Sequence, residues 1–262
     1  MRNHTLVEAE SFSYTLSPRN VYEVIRLIQG VPLFLEEHLE RMEASLDLLQ
    51  MNFRQSQEAL RNQILTLAKK NRFQEGNVKI LINDGPVKEC FLYFIPHHYP
   101  EESYYRKGIR TMTMDIERKN PNAKVIDADY KNKVTRFIKD NGIYEALIVN
   151  SEGEVTEGSK SNVFFIEQNR LITPPLKDVL GGVTRKRILA IAGELGIESA
   201  ETAVTVEELS NIQGAFISGT SPKILPIASI NDQILASMDH PVISTLIRAY
   251  DEKIEAYIHT HL

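Results

Sequence analysis

Between Tyr144 and Pro174 the chain crowds four short apolar runs, EALIVN, EVTEG, NVFFIE and RLITP, with only a few turn-forming residues between them. A helix needs apolar positions spaced at 3.6 residues over ten or more positions. Runs this short, punctuated by Ser-Glu-Gly, Gly-Ser-Lys-Ser-Asn and Gln-Asn, read instead as strands joined by tight turns. One of those turns raises a chemical question. Glu157 stands immediately before Gly158-Ser-Lys-Ser-Asn162, and the next apolar run starts at once. Either this is a plain hairpin with a solvated carboxylate, or the turn presents Glu157 to a group that needs an anionic partner.

The first half mixes helices with alternating strands. NVYEVIRLI reads as a strand and QGVPLF as a turn. LEEHLERMEASLDLLQM is an amphipathic helix with Leu39, Met42, Leu46 and Leu49 on one stripe and His38, Arg41 and Ser45 on the adjoining one. SQEALRNQILTLAKKN is a second helix with Leu60, Ile64 and Leu67 inward. NVKILIND and ECFLYFIP pair across DGPVK, and GIRTMTMD is a third alternating strand. IERKNPNAKVIDADYK has no clean period and is expected to cross between two domains, 1–118 and 119–262. After it come a helix stopped by Gly142 and the four short strands. A second helix, VTRKRILAIAGELG, carries Ile188, Ile191 and Leu195 inward and stops at Gly196; the buried strand GAFISG follows. A final helix has Ile243, Leu246, Tyr250, Ile254 and Tyr257 on one side.

A chain of 262 residues can bury a sizeable core without staples. Its net charge of -5, with both signs interspersed, argues against a nucleic-acid or anionic-membrane surface as its main business. No apolar stretch reaches the roughly 20 residues of a spanning helix, and the first residues hold no apolar core of signal-peptide length. Cys90 is the single cysteine, so no intrachain disulfide forms and a cytoplasmic location is expected. The pair in Pro-His-His-Tyr-Pro (96–100) lacks a carboxylate at ligand spacing and makes a poor metal site; no metal is expected.

Three small-residue turns stand out in the second half: EGSKSN at 157–162, GGVTR at 181–185 and SGTSP at 218–222. The second opens a helix, where backbone N–H groups and the Thr184 hydroxyl suit a phosphate. The third offers Thr220 and Ser221 after a buried strand. Singly, Thr184 reads as an N-cap, Thr220 as a turn residue and Glu157 as a solvated carboxylate. Together they suit one phosphorylated, nitrogen-containing ligand.

The run Glu-Gly-Ser-x-Ser-Asn followed by VFFI, then GGVTR, then GTS, resembles the class IV (fold type IV) pyridoxal-phosphate aminotransferases. That group contains branched-chain aminotransferases, D-amino-acid aminotransferases and aminodeoxychorismate lyases. The resemblance covers most of the chain, including the His-x-x-Arg of LEEHLERME. It implies an α+β, two-domain fold: a small α/β domain plus a larger, β-barrel-like domain with flanking helices. It also implies pyridoxal 5'-phosphate on a Schiff-base lysine some thirty-odd residues before the Glu. Lys124 lies 33 residues before Glu157, whereas Lys131 and Lys133 fall in the following helix. On this resemblance Glu157 pairs with the ring nitrogen. Arg41, Thr184, the backbone of Val183 and Thr220 hold the phosphate, and Tyr130 reaches the cofactor's phenolic oxygen. His38 supports Arg41 or caps the local packing, Lys160 points to solvent, and Asn162 either braces its turn or touches the ligand. The substrates implied are an amino acid and a 2-oxo acid, and the assembly implied is a homodimer. Three departures concern the substrate side. INDGPVKECFLYF lacks the Arg-x-His pair of the D-amino-acid enzymes, AESFSYTLSPRNVYEV lacks the family's Gly-rich aromatic stretch, and GTSPK has Lys223 where an acidic residue is usual. The function expected is transamination, with aminodeoxychorismate lyase chemistry as the alternative and an inactive ligand-binding relative as a third reading.

Overall fold

Alternating strands expose one apolar face, and residues 20–95 supply both the strands and the helices that cover it. In the computed structural model, which describes residues 1–96 and 99–262, this region forms β1 (Asn20–Ile28), β2 (Val31–Pro32), α1 (Leu35–Leu48), α2 (Gln57–Asn71), β3 (Gly76–Asp84) and β4 (Lys88–Ile95). The histidine pair at 97–98 lies outside the described residues. The sheet order is β2-β1-β3-β4, antiparallel throughout. Val21, Ile25 and Leu27 of β1 and Val78, Ile80 and Ile82 of β3 form one core with Leu39, Met42 and Leu46 of α1 and Leu60, Ile64 and Leu67 of α2. Burial of each such side chain contributes about 1.5–3 kcal/mol. Ser56 caps α2, its hydroxyl accepting the Ala59 N–H at 3.2 Å.

β2 pairs only with the far end of β1, and residues 123–127 run along the rest of that edge. The Tyr22 N–H donates to the Lys124 carbonyl at 2.9 Å, and the Ile126 N–H donates to Asn20 Oδ1 at 2.8 Å. By contacts, the first of two units is Met1–His98, Ala123–Asp127 and Ile254–Leu262.

The second unit is Tyr99–Asn122 and Ala128–Lys253. It contains α3 (Glu102–Lys107), β5 (Ile109–Asp115), α4 (Ala128–Asn141), β6 (Glu145–Val149), β7 (Glu154–Gly158), β8 (Asn162–Glu167), β9 (Arg170–Thr173), α5 (Val183–Glu194), β10 (Ser199–Glu201), β11 (Val204–Thr205), β12 (Gly214–Gly219), β13 (Lys223–Ile230) and β14 (Gln233–Ile234). α6 (Pro241–His261) is shared by both units. The sheet runs β10-β9-β8-β12-β13-β5-β6-β7-β11, with β14 on β13. β7 and β8 are consecutive in sequence yet far apart along this path, so the sheet must curl for a three-residue turn to join them. This is the barrel-like curvature expected of the larger domain.

Gly142 and Gly196 take φ of +59° and +69° at the ends of α4 and α5, as their positions predicted. Leu195 departs from expectation. It was placed on the inward stripe, but it is the C-cap of α5 and 47% exposed. The chain leaves helical geometry there, so the apolar period does not carry one residue further.

Candidate active site

In the first unit the expected lysine is held by its backbone. The Lys124 carbonyl is fixed by Tyr22, and its N–H donates to the Ser45 hydroxyl of α1 at 3.3 Å. Its ammonium lies 4.9 Å from the centroid of the Tyr22 ring. The side chain is thus set by β1 and α1, although its own segment has no regular structure.

The Arg41 side chain is largely buried. Its Nε and Nη2 donate to the two carboxylate oxygens of Glu23 at 2.8 and 2.7 Å. His38 Nδ1 lies 2.9 Å from the same carboxylate, to which its N–H donates. Glu23 is fully buried. Burial alone would raise its carboxyl; the Arg41 charge and the bonds from His38 and Arg41 outweigh that and hold it well below the usual carboxylate range. Burial, with Arg41 and Lys124 nearby, pushes the His38 imidazole down, and Glu23 offsets this only in part. His38 therefore supports Arg41 through the carboxylate they share. Arg41→Met is expected to destabilise the fold by about 3 kcal/mol, because Glu23 stays buried without its main counter-charge. Urea titration reads this. Glu23 titrates low, so the pair's contribution is present above the ordinary carboxylate range and is lost only as pH falls through the lowered value. The wild-type and Met curves should converge only in strong acid.

In the second unit Glu157 is buried at 4% exposure, which excludes a solvated turn carboxylate. Its register partner across the sheet is Ile148. Arg118 donates to its Oε1 at 2.6 Å and the Leu180 N–H to its Oε2 at 3.1 Å. Asn162 braces the same loop, its amide donating to the Leu180 carbonyl at 2.8 Å. Beneath the turn stands a second buried carboxylate, Glu145. Its Oε1 accepts the Lys160 N–H at 2.7 Å and the Ser161 hydroxyl at 2.9 Å. Burial pushes this carboxyl up, and those two bonds partly oppose the rise. A Cβ at position 158 would stand 2.7 Å from Glu145 Oε1 and 2.1 Å from Ser161 Oγ, so a larger residue there would have to displace these bonded groups. Lys160 is exposed, as expected.

α5 begins at Val183, with Gly182 as its N-cap and no side-chain cap bond. Thr184 is therefore neither the N-cap nor outward-facing. It is buried at the second helical position, with the Tyr250 hydroxyl 3.4 Å from its own. Val183 is buried beside it, and its N–H belongs to the first turn, which intrahelical bonds leave unsatisfied. Thr220 is half-buried in the turn from β12 to β13, and Ser218 just before it is buried, with no partner for its hydroxyl among the described residues. Tyr130 sits on α4 and packs with Val134, Ala146 and Ile148. Lys131 and Lys133, on the same helix, are exposed. Lys223 adopts φ of +55° and its ammonium meets Asp251 at 2.7 Å.

Glu23, Arg118 and Glu145 were not singled out from sequence. Glu23 carried a signal: it falls on the inward parity of β1, between Val21 and Ile25. Glu145 carried a fainter one, as a charge opening an apolar run. Arg118 lies in the aperiodic segment and carried none.

Residues 20–230 match the family model for amino-transferase class IV. The chain belongs to the class IV aminotransferase family. Within it, a D-alanine aminotransferase from Bacillus licheniformis is 28% identical over 249 residues, spanning 90% of this chain and 87% of that protein. An aminodeoxychorismate lyase from Bacillus subtilis is 26% identical over 257 residues, spanning 91% of this chain and 87% of that protein. Among solved structures, the branched-chain amino acid aminotransferase of Thermobaculum terrenum in its PLP form superposes with a TM-score of 0.84 at 25% identity, covering 98% of this chain and 93% of that one. The fold type IV architecture of these class IV enzymes is thus the fold of this chain. Among the described residues, no helix is long and apolar enough to cross a membrane.

Proposed function

We propose that this class IV enzyme uses pyridoxal 5'-phosphate to move an amino group from an amino acid to a 2-oxo acid. The observation that carries this reading is buried Glu157, fixed by Arg118 and the Leu180 N–H at the mouth of a turn. A carboxylate withdrawn from water and held this firmly suits a protonated ring nitrogen. On the family resemblance the same cofactor also takes an amine at Lys124, a guanidinium at Arg41, and short donors at the start of α5 and in the β12–β13 turn. The buried hydroxyl of Ser218, without a partner among the described residues, adds to that donor set.

In this reading Lys124 forms the covalent link and, once freed, moves a proton at the substrate Cα. Glu157 holds the proton on the ring nitrogen. Arg41, the Val183 N–H, Thr184 and Thr220 hold the phosphate, and Tyr130 bonds the phenolic oxygen. The cofactor itself supplies the electron sink for the carbanion. The reading carries with it a homodimer in the cytoplasm, which light scattering and fractionation address.

A transaminase must leave the amino group on the cofactor between its two halves. Mixing the holo-enzyme with single L- and D-amino acids, without a 2-oxo acid, is expected to produce the pyridoxamine absorbance with at least one donor. D-alanine is expected to be poor, because the Arg-x-His pair is missing. If no donor does so while aminodeoxychorismate yields pyruvate, the lyase reading replaces this one. The similar identity to the Bacillus subtilis lyase keeps that outcome in view.

A further inference from the structure

Two lysines share one aromatic ring in the first unit. The Lys124 ammonium lies 4.9 Å from the centroid of Tyr22, and the Lys79 ammonium lies 4.6 Å from the same centroid. They reach it from opposite sides of β1. Lys124 comes from the segment along the strand's open edge. Lys79 comes from β3, where it pairs in register with Val24, diagonally from Tyr22 on the same face. Val78 and Ile80, its neighbours, point into the core on the other face. Lys79 is half-buried on the face of β3 away from that core.

We propose that Lys79 is a positioning residue that acts through Lys124: as a second ammonium at the Tyr22 ring, it disfavours the protonated form of the Lys124 amine. The inference rests on the covalent role assigned to Lys124 above. An amine attacks a carbonyl only when unprotonated, and a like charge in a partly buried setting lowers a lysine into its working range. The shared ring works in the same direction. A ring face stabilises a nearby cation, and an ammonium already drawing on that ring leaves less for the next. Loss of the Lys79 charge would therefore favour protonation of Lys124 on both counts.

The other charged groups near Lys124 do not supply this effect. On α1, Arg41 is neutralised by Glu23 of β1, and His38 donates to the same carboxylate. The Ser45 hydroxyl accepts the Lys124 backbone N–H. Asp127 lies on Lys124's own segment, Arg26 is further along β1, and Tyr93 of β4 is bonded to Tyr14. These residues stay in the sequence when Lys79 alone is replaced, and comparing Met with Arg at position 79 separates charge from packing.

The test is a pH series of acetic anhydride labelling on the full-length, cofactor-free chain. Acetylation of Lys124 is mapped by mass spectrometry against exposed Lys131 as internal reference. In Lys79→Met the labelling midpoint of Lys124 is expected to rise by about one pH unit, while Lys79→Arg, which keeps the charge, stays at the wild-type midpoint. Equal midpoints in wild type and Lys79→Met overturn the inference. Equal rises in the Met and Arg variants also overturn it, since the cause would then be lost packing and not lost charge. The readout needs no cofactor, so it is separate from the functional reading. That reading fails on its own if borohydride places no pyridoxyl group on Lys124 of the loaded wild type.

Discussion

Lys124→Ala is expected to lower turnover by at least about 10⁴-fold and to abolish borohydride-stable attachment of pyridoxal phosphate. The substitution should leave the fold intact. The backbone bonds of Lys124, the carbonyl that Tyr22 bonds and the N–H that Ser45 accepts, both survive in alanine. The lost function is the amine alone. Two roles are removed together, the covalent link and the proton transfer at Cα, and they can be separated. Added methylamine should restore a measurable part of the second role, because a small free amine can occupy the space the side chain leaves. In the wild type the reduced label should map to Lys124. A label on Lys131, which is exposed on α4, would move the assignment.

Much of this was legible in the sequence, for identifiable reasons. Strands and helices with a clean period, such as 78–82 and 183–194, could be read because one face of each meets a continuous core. The turn residues Gly142 and Gly196 announced themselves by the conformations they permit. The Glu157 turn was legible as chemistry because a carboxylate stood where a hairpin needs none. Other features left no local trace. Residues 123–127 return to β1 through backbone hydrogen bonds, and any side chain can make those. Arg118 reaches Glu157 from an aperiodic stretch, and a long flexible side chain has no spacing to obey. Read singly, Thr184 suggests a cap, because it follows two glycines closely. The glycine took that position, and the threonine turned inward to Tyr250. Glu23 was overlooked although its inward parity was visible. A charge inside an apolar alternation is a stronger sign of a built polar cluster than any of the surface charges that drew attention.

Glu157→Gln is expected to retain the cofactor and lose about 10²- to 10³-fold in kcat. The carboxylate's two oxygens have separate partners, Arg118 on Oε1 and the Leu180 N–H on Oε2. Glutamine keeps one carbonyl oxygen and replaces the other with an NH2 donor. Whichever way the amide turns, one donor loses its acceptor, so some local rearrangement of the 178–182 loop is expected. The catalytic loss has a different origin. A neutral amide cannot keep the ring nitrogen protonated, so the ring withdraws less charge when the carbanion forms. That deficit belongs to the transition state and leaves substrate binding nearly unchanged, so kcat should fall much further than KM rises. Arg118→Met gives the complementary measurement. It leaves the carboxylate in place but removes the cation that aims it, and kcat should fall less than in Glu157→Gln. If the Gln variant turns over at the wild-type rate, Glu157 only anchors its loop, and the proton on the ring nitrogen has to be held elsewhere. If Arg118→Met is the more damaging of the two, the guanidinium and not the carboxylate is the group that faces the cofactor.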